Sequence, residues 1–352
     1  MTIHKDLFKE IRIGDLNVEH RIIHAPLTRM RTQGKNGILR DYVTEYYKQR
    51  TTKNGLLIGE ACVIAEEAHG LDHAPGIYNE EQIAAWKNVT NVVHQHGGYF
   101  FAQIFALGRV AVPEFLDAEL KGPSDDVYRD RRVKEMSVDD IERFIGHFKQ
   151  AAINCIDAAK FDGVEIHGAN GYLVDQFIQK KTNRRTDAYA AHTLKFPKSV
   201  LAAVVDAIGE KKTAIRISAF SAWQGMREDN PMETFVPWCE HIVSTYKNLA
   251  YVHFVDPLIG SSEEDFKNSD ILKKIIKDGG LTVISNTDYS LKTANERAAQ
   301  PYDEGVAFGK LFISNPDLPH RALKNHPLNE NYDRTSFYGG TEVGYIDYPY
   351  YQ

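Results

Sequence analysis

The chain has 352 residues, of which 43% are hydrophobic and 26% are charged, and its formal net charge is −6. This is the composition of a globular protein that buries a large core, and its negative charge argues against a general nucleic-acid or anionic-membrane surface. The start "MTIHKDLF" lacks the apolar core of a secretory signal, no apolar run reaches membrane-spanning length, and the three cysteines are far apart, so we expect a cytoplasmic protein without disulfides.

The N-terminal stretch "EIRIGDLNVEHRI", residues 10–22, predicts a small β-hairpin. Eight short runs that are apolar on both faces follow it, as is typical of strands buried in a parallel sheet. They begin at Arg21, Gly55, Tyr99, Gly163, Thr213, Ala250, Leu281 and Gly305.

Amphipathic helical patterns lie between most of these runs, and the clearest begins at Ser137, where Asp140 completes a possible capping box. Strand–helix alternation repeated eight times predicts an α/β fold, a single (β/α)8 barrel domain over residues 1–352 that the hairpin caps at the bottom. A doubly wound sheet is the alternative. The longest insertion, residues 109–136, is charged and predicts either a loop or lid over the site, or a solvated excursion without function.

The active site of such a barrel lies at the carboxyl ends of its strands. The polar or small residues that the sequence places there come from seven of the eight strands, which favours a bound heterocycle with an anionic tail. Arg216 offers a permanent positive charge, and Gly309 with Lys310 suits a phosphate. The residues at these ends are Thr28, Glu60, Ala61, Gln103, His167, Asn170, Arg216, Thr287, Asp288, Gly309 and Lys310.

Three polar residues close together, His167, Asn170 and Tyr172, follow the fourth run. Two neutral donors suit the grip of one carbonyl oxygen, and the phenol beside them suits proton donation. Each polar residue also has a structural reading: Arg216 as a buried ion-pair residue, Gln103 as a partner for backbone groups, and His167 as a structural histidine. No metal-binding spacing is present among the histidines and cysteines.

The chain resembles the old yellow enzyme family of flavin-dependent ene-reductases, and most closely its fungal branch. The resemblance covers nearly the whole chain. It rests on these motifs in this order: "APLTRMR", "HAPGIYNEEQ", "FALGRVA", "EIHGANGYLVDQFIQ", "TNRRTDAY", "FISNPDLP" and "GYIDYPYY".

This resemblance implies a non-covalent FMN on top of the barrel. Thr28 would face a flavin carbonyl, Ala61 would give backbone contacts, and Gln103 would bind the pyrimidine edge. Arg216 would lie where negative charge collects in the reduced ring. Gly309 and Lys310, with the turn at Thr287 and Asp288, would lie around the phosphate.

The resemblance also implies that His167 and Asn170 bind the carbonyl oxygen of an α,β-unsaturated substrate, an enone or enal, while Tyr172 protonates its α-carbon. Phe105 and Tyr338 match positions that shape the substrate pocket. NADPH or NADH would reduce the flavin first in the same pocket, giving ping-pong turnover. The sequence leaves open a monomer or a homodimer.

Four departures from the family pattern concern cofactor support. Lys310 replaces an arginine, and "ISNTDYS" puts Thr287 and Asp288 where the family has glycine or asparagine. The segments 189–192 and 255–258 lack an Asn-Arg pair and an arginine, respectively. They leave open a degenerate barrel that binds a ligand or partner without turnover. The resemblance itself leaves open another enzyme with the same fold and FMN, a reductase or isomerase of one fungal pathway intermediate.

Overall fold

The protein was analysed as a computed structural model that describes residues 2–302 and 304–352. The strands of these residues are, in chain order, β1 (Ile11–Ile13), β2 (Leu16–Val18), β3 (Ile22–His24), β4 (Leu56–Val63), β5 (Tyr99–Phe105), β6 (Lys121–Gly122), β7 (Asp126–Tyr128), β8 (Arg131–Glu135), β9 (Gly163–Gly168), β10 (Thr213–Ile217), β11 (Tyr251–Val255), β12 (Val283–Asn286) and β13 (Glu304–Phe308).

Eight of these strands form a closed parallel barrel in the order β10-β11-β12-β13-β3-β4-β5-β9. Each of the eight predicted apolar runs overlaps one of them, so the predicted (β/α)8 barrel is confirmed and the doubly wound alternative is wrong. Every residue of β4, β9, β10 and β13 is buried, because helices cover the outside of the barrel and side chains fill its inside.

The α-helices of the described residues are α1 (Val43–Arg50), α2 (Glu80–Gln95), α3 (Val138–Ile153), α4 (Leu173–Ile178), α5 (Lys195–Ile208), α6 (Met232–Thr245), α7 (Glu263–Asp278), α8 (Leu291–Ala298), α9 (Lys310–Ser314) and α10 (Leu318–Lys324). The predicted capping box at the start of α3 is confirmed, because the Ser137 hydroxyl accepts from the Asp140 amide at 3.1 Å and the Asp140 carboxylate accepts from the Ser137 amide at 2.9 Å. No helix in this part of the chain combines the length and apolarity needed to cross a bilayer.

The predicted N-terminal hairpin pairs β1 with β2 in antiparallel fashion. Its side chains Ile11, Ile13 and Val18 are buried in one cluster with residues of the barrel strands, among them Phe101 and Tyr251. The hairpin therefore closes the bottom of the barrel with apolar side chains, as expected, and leaves the opposite end open.

The insertion after β5 is more ordered than the predicted loop, because it contains the three-stranded sheet β6-β8-β7. Arg129 and Asp130, in the turn between β7 and β8, both have positive φ angles, as a type I′ hairpin turn requires. The sequence signal for this hairpin was weak since the turn lacks the usual glycine or asparagine, and β8 buries only Val133 fully.

An arginine clasp, made of Arg29 and Arg31, binds the C-terminal segment 336–345. The guanidinium of Arg29 donates to the carbonyl oxygens of Phe337 at 2.9 Å and Gly344 at 3.0 Å. That of Arg31 donates to the carbonyl oxygens of Ser336 at 2.9 Å and Thr341 at 3.1 Å. Both arginine side chains are buried, so the clasp fixes the C-terminal segment against the chain that follows β3.

Candidate active site

The open end of the barrel carries the polar residues that the sequence placed there. Thr28 lies four residues beyond β3 and is half-buried, whereas Ala61 in β4 and Gln103 in β5 are buried and face each other in the strand register. His167 in β9 and Arg216 in β10 are likewise register neighbours. The fold thus brings these predicted residues to one mouth.

Gln103 belongs to a buried hydrogen-bonded chain that sequence reasoning missed. Its amide Nε2 donates to Glu165 Oε1 at 2.6 Å, and Glu165 Oε2 lies 2.8 Å from Nδ1 of His253. The structural reading of Gln103 as a partner for backbone groups is wrong for Nε2, which bonds a carboxylate. Glu165 and His253 could have been recognised as polar residues within otherwise apolar strands.

Burial would raise the pKa of the Glu165 carboxyl, but the hydrogen bonds from His253 and Gln103 and the charge of Arg216 hold it below its usual value. Burial lowers the pKa of His253, so its neutral imidazole donates from Nδ1 to a Glu165 carboxylate. A negative charge is therefore fixed inside the barrel, below the mouth.

Arg216 is buried and keeps its charge because a guanidinium does not lose its proton in proteins. Its Nη2 donates to Oδ1 of Asn286 at 2.6 Å, and its Nε is buried without a hydrogen-bond partner among the described residues. An unpaired buried N–H is costly, so this donor suits an acceptor on a bound ring.

Three rings pack against each other beside the mouth. The Tyr172 ring lies edge-to-face with His167 at 4.7 Å between centroids, and edge-to-face with Phe105 at 5.0 Å. The Nδ1 atom of His167 is buried with no partner within the described chain. Burial and the positive charge of Arg216 set the pKa of His167 well below its ordinary value, so the imidazole is neutral.

Asn170 lies in a turn whose backbone is held by side chains. It has a φ of +57°, its amide donates to the Ser218 hydroxyl at 2.8 Å, and its carbonyl accepts from Nε2 of Gln224 at 2.9 Å. The next amide, of Gly171, donates to Asp175 at 2.8 Å. This support fixes the backbone that carries the Asn170 side chain.

Asp175 is fully buried beneath this turn. Burial raises the pKa of its carboxyl to about 7, although Gln179, the Gly171 amide and Ser218 donate hydrogen bonds to it. Sequence reasoning missed Asp175 because a single acidic residue in a short helix gives no functional signal, and the sequence alone does not show that every residue of α4 is buried.

The phenol of Tyr172 is a weaker acid than usual. Burial raises its pKa to about 12, and nearby Tyr338 adds to the rise, whereas Gln224 and Arg216 oppose it. Tyr338 itself is 66% exposed on the clasped C-terminal segment, and Tyr128 of the insertion also acts on Tyr172. Both segments therefore reach the site, which favours the lid reading of the insertion.

The side chains of the turn after β12 are engaged with other groups of the protein. The Asp288 carboxylate pairs with Lys310 at 2.8 Å, with side chains 31% and 44% exposed. The Thr287 hydroxyl donates to the carbonyl oxygen of Asp256 at 3.0 Å. Gly309 immediately precedes Lys310. At the predicted phosphate end, the charge of Lys310 is therefore paired with the carboxylate of Asp288.

The side chains of the other two departures contact the helices around the barrel. Tyr189, in the segment 189–192, donates its hydroxyl to Glu142 of α3, on the outside of the barrel. In the segment 255–258, Asp256 is buried and paired with Lys273 of α7 at 2.5 Å, and Leu258 is exposed. The sequence predicted that both segments help to hold the cofactor, whereas these side-chain contacts are with the surrounding helices.

These side chains fit an FMN. The unpaired Nε of Arg216 and the amide of Gln103 offer donors to an oxygen- and nitrogen-rich ring, and Lys310 offers a cation to a phosphate. Thr28 and Ala61 stand on the neighbouring strand ends.

Comparisons with known proteins agree with this chemistry. A sequence model of the NADH:flavin oxidoreductase / NADH oxidase family matches residues 6–329. The flavin oxidoreductase hxnT of the fungus Emericella nidulans is 38% identical over 381 residues, covering 98% of each chain.

Two solved structures have the same fold. The old yellow enzyme homologue from Zymomonas mobilis superimposes with a TM-score of 0.88 at 32% identity, over 97% of this chain and 99% of that one. Morphinone reductase in complex with tetrahydroNAD superimposes with a TM-score of 0.88 at 32% identity, over 98% of each chain.

Proposed function

Because the chain belongs to the NADH:flavin oxidoreductase / NADH oxidase family, and is an FMN-dependent old yellow enzyme that uses a nicotinamide reductant, we propose that it reduces the activated C=C bond of α,β-unsaturated carbonyl compounds. The observation that carries this proposal is the packing of His167 and Tyr172 at the end of β9, with Asn170 between them in sequence. One short segment thus holds two donors for a carbonyl oxygen, His167 and Asn170, and an acid that can protonate a carbon, Tyr172.

In this proposal His167 and Asn170 bind the substrate carbonyl oxygen. The unpaired Nδ1 of the neutral His167 and the side-chain amide of Asn170 both supply N–H donors. Both groups stay neutral throughout the reaction. These hydrogen bonds draw electron density from the β-carbon, and they strengthen as negative charge develops on the oxygen.

Tyr172 supplies the proton. With a pKa of about 12 the phenol is protonated at neutral pH, and it transfers that proton to the α-carbon as the C=C bond accepts a hydride at the β-carbon. The positive charge of Arg216 and the amide of Gln224, which both favour the phenolate, stabilise Tyr172 after the transfer.

We assign Thr28, Ala61, Gln103 and Arg216 to the ring of a non-covalently bound FMN, and Gly309 and Lys310, with Thr287 and Asp288 beside them, to its phosphate. When bound, FMN supplies the hydride, which it first receives from NADPH or NADH. Phe105 and Tyr338 shape the substrate pocket: Phe105 from the wall beside Tyr172, and Tyr338 from the exposed rim. We place the enzyme in the cytosol, where its three buried free thiols stay reduced.

The test is a visible spectrum of the purified protein after incubation with excess FMN and gel filtration. Addition of anaerobic NADPH should bleach the retained flavin, and 2-cyclohexenone should restore its absorbance. Flavin that bleaches but is not restored by any of a panel of enones and enals would contradict alkene reduction. A protein that stays colourless would contradict the cofactor assignment.

A further inference from the structure

Asn286, the last residue of β12, joins two strands across the barrel mouth. Its Oδ1 accepts from Nη2 of Arg216 on β10 at 2.6 Å, and its Nδ2 donates to the carbonyl oxygen of Ala307 on β13 at 2.7 Å. The orientation of the amide is unambiguous, because a guanidinium can only donate and a carbonyl oxygen can only accept. The side chain of Asn286 thus links the guanidinium of Arg216 on β10 to the backbone of β13.

The strand register places Asn286 beside Arg216 at the barrel mouth. Arg216 pairs with His253 on β11, and His253 pairs with Ile284 on β12, so Asn286 lies two residues further along its strand than the residue in register with Arg216. The strands of a closed barrel are tilted and their register is staggered, so this offset brings Asn286 to about the height of Arg216 along the barrel axis. The bond to Asn286 therefore holds the guanidinium from the side, across β11.

Glu165 acts on Arg216 from the barrel interior. It pairs in the register with Ala214, which precedes Arg216 by two residues, and its carboxylate attracts the guanidinium toward the interior. Without the amide of Asn286, the strongest attraction on Arg216 would be that of a fully buried negative charge below it.

We propose that Asn286 is a positioning residue that holds the Arg216 charge against the flavin ring and so raises the reduction potential of the bound cofactor. The proposal rests on the assignment of Arg216 to the ring made under Proposed function. A fixed cation stabilises a developing anion better than a mobile one, because the cost of orienting it is met on folding. The short charge-assisted hydrogen bond is the means of that fixation.

The experiment compares the wild-type holoprotein with N286A and N286D. The readouts are the midpoint potential of the bound flavin and the dissociation constant for sulfite, which adds to oxidised flavin and leaves a negative charge on the ring. We expect N286A to weaken sulfite binding about tenfold, the effect of losing one hydrogen bond to a charged group. N286D should weaken it further and give the most negative potential, because its carboxylate neutralises Arg216.

The matched control is N154A. Asn154 also uses both ends of its amide, accepting from Gln150 at 2.9 Å and donating to the carbonyl oxygen of Ile77 at 2.8 Å, but it lies beyond the end of α3, outside the barrel. N154A should alter stability alone and leave sulfite binding and potential at their wild-type values. A purely structural role for Asn286 would give that same result in N286A.

The proposal is overturned if folded, flavin-bound N286A and N286D both match the wild type in potential and sulfite affinity. It is also overturned if folded N286A no longer retains FMN, since Asn286 would then serve binding instead. If N286A does not fold, N286S carries the measurement. A wild type that holds FMN but reduces no alkene contradicts alkene reduction only, whereas a wild type that holds no FMN contradicts both proposals.

Discussion

The imidazole of His167 and the phenol of Tyr172 lie edge-to-face, 4.7 Å apart between ring centroids and 65° between planes. Phe105 packs on the other side of Tyr172 at 5.0 Å. Because both polar rings are held by packing, the two groups assigned to the substrate keep a fixed separation. Neither group titrates in the physiological pH range.

The first prediction concerns pH. The pKa of His167 lies well below its usual value and that of Tyr172 is about 12, so His167 stays neutral and Tyr172 stays protonated from about pH 6 to about pH 9. The rate at which an enone reoxidises the reduced enzyme should therefore be flat across this range in stopped-flow experiments. A step with an apparent pKa near that of an ordinary histidine would contradict the neutral imidazole.

The second prediction separates the two half-reactions. Tyr172→Phe removes the proton donor but leaves the ring packing with His167 and Phe105, so alkene reduction should slow about 100-fold or more, a usual contribution of a general acid. Flavin reduction by NADPH should change by less than about twofold. The matched control is Tyr302→Phe, whose hydroxyl lies near Asp278 away from the mouth. Equal slowing of both half-reactions would exclude Tyr172 as the acid.

The third prediction concerns the neutralised phosphate end. Asp288→Asn removes the carboxylate that occupies Lys310 and repels a phosphate, so FMN should bind about fivefold more tightly, the effect of roughly 1 kcal/mol between partly exposed charges. Riboflavin, which has no phosphate, should bind as before. Fluorescence titration of the apoprotein measures both.

Asp278→Asn is the control for this experiment, because Asp278 pairs with Lys274 at 2.5 Å within the exposed surface of α7. It should leave the affinities for both flavins unchanged. An Asp288→Asn variant that tightens riboflavin as much as FMN would place the effect on the ring instead of the phosphate.

The fourth prediction concerns stability and pH. The pKa of Asp175 is about 7 in the folded chain and about 4 in an unfolded one, so the folded state binds more protons between these values. The contribution of Asp175 to the free energy of unfolding should therefore fall as the pH rises from about 4 to about 7 and stay constant above that. Asp175→Asn should weaken this dependence in urea titrations, and parallel curves for the two proteins would contradict the buried, proton-binding carboxyl.

The fifth prediction concerns Glu165. Glu165→Gln preserves shape but leaves the buried charge of Arg216 without its carboxylate, so the free energy of unfolding should fall by about 3–5 kcal/mol. Glu45→Gln, which breaks an exposed pair with Lys48, should change it by less than about 1 kcal/mol. Equal effects of the two substitutions would show that the charge of Glu165 contributes little.

The barrel was predictable because its strands are apolar on both faces and recur with helices between them. The proximity of His167, Asn170 and Tyr172 was predictable for another reason, because all three lie within six residues at the end of one strand. The β7–β8 hairpin was not, because Arg129 and Asp130 adopt positive φ angles without the glycine that usually signals them.

The contacts around Arg216 were beyond sequence reasoning for a physical reason. Asn286 and Arg216 are 70 residues apart and lie on strands that are not neighbours, so no spacing rule relates them. The sequence placed Asp288 and Lys310 at the same phosphate end but did not show that they pair with each other. Side-chain contacts across a barrel mouth depend on register and closure, which a single sequence does not encode locally.

The arginine clasp has a consequence for biosynthesis. Arg29 and Arg31 leave the ribosome some 300 residues before the carbonyl groups of the segment 336–345 that they bind. Until that segment has been synthesised, these hydrogen bonds to it are absent and Tyr338 is missing from the rim. All eight barrel strands, the last of which ends at Phe308, are therefore synthesised before the segment that completes the rim.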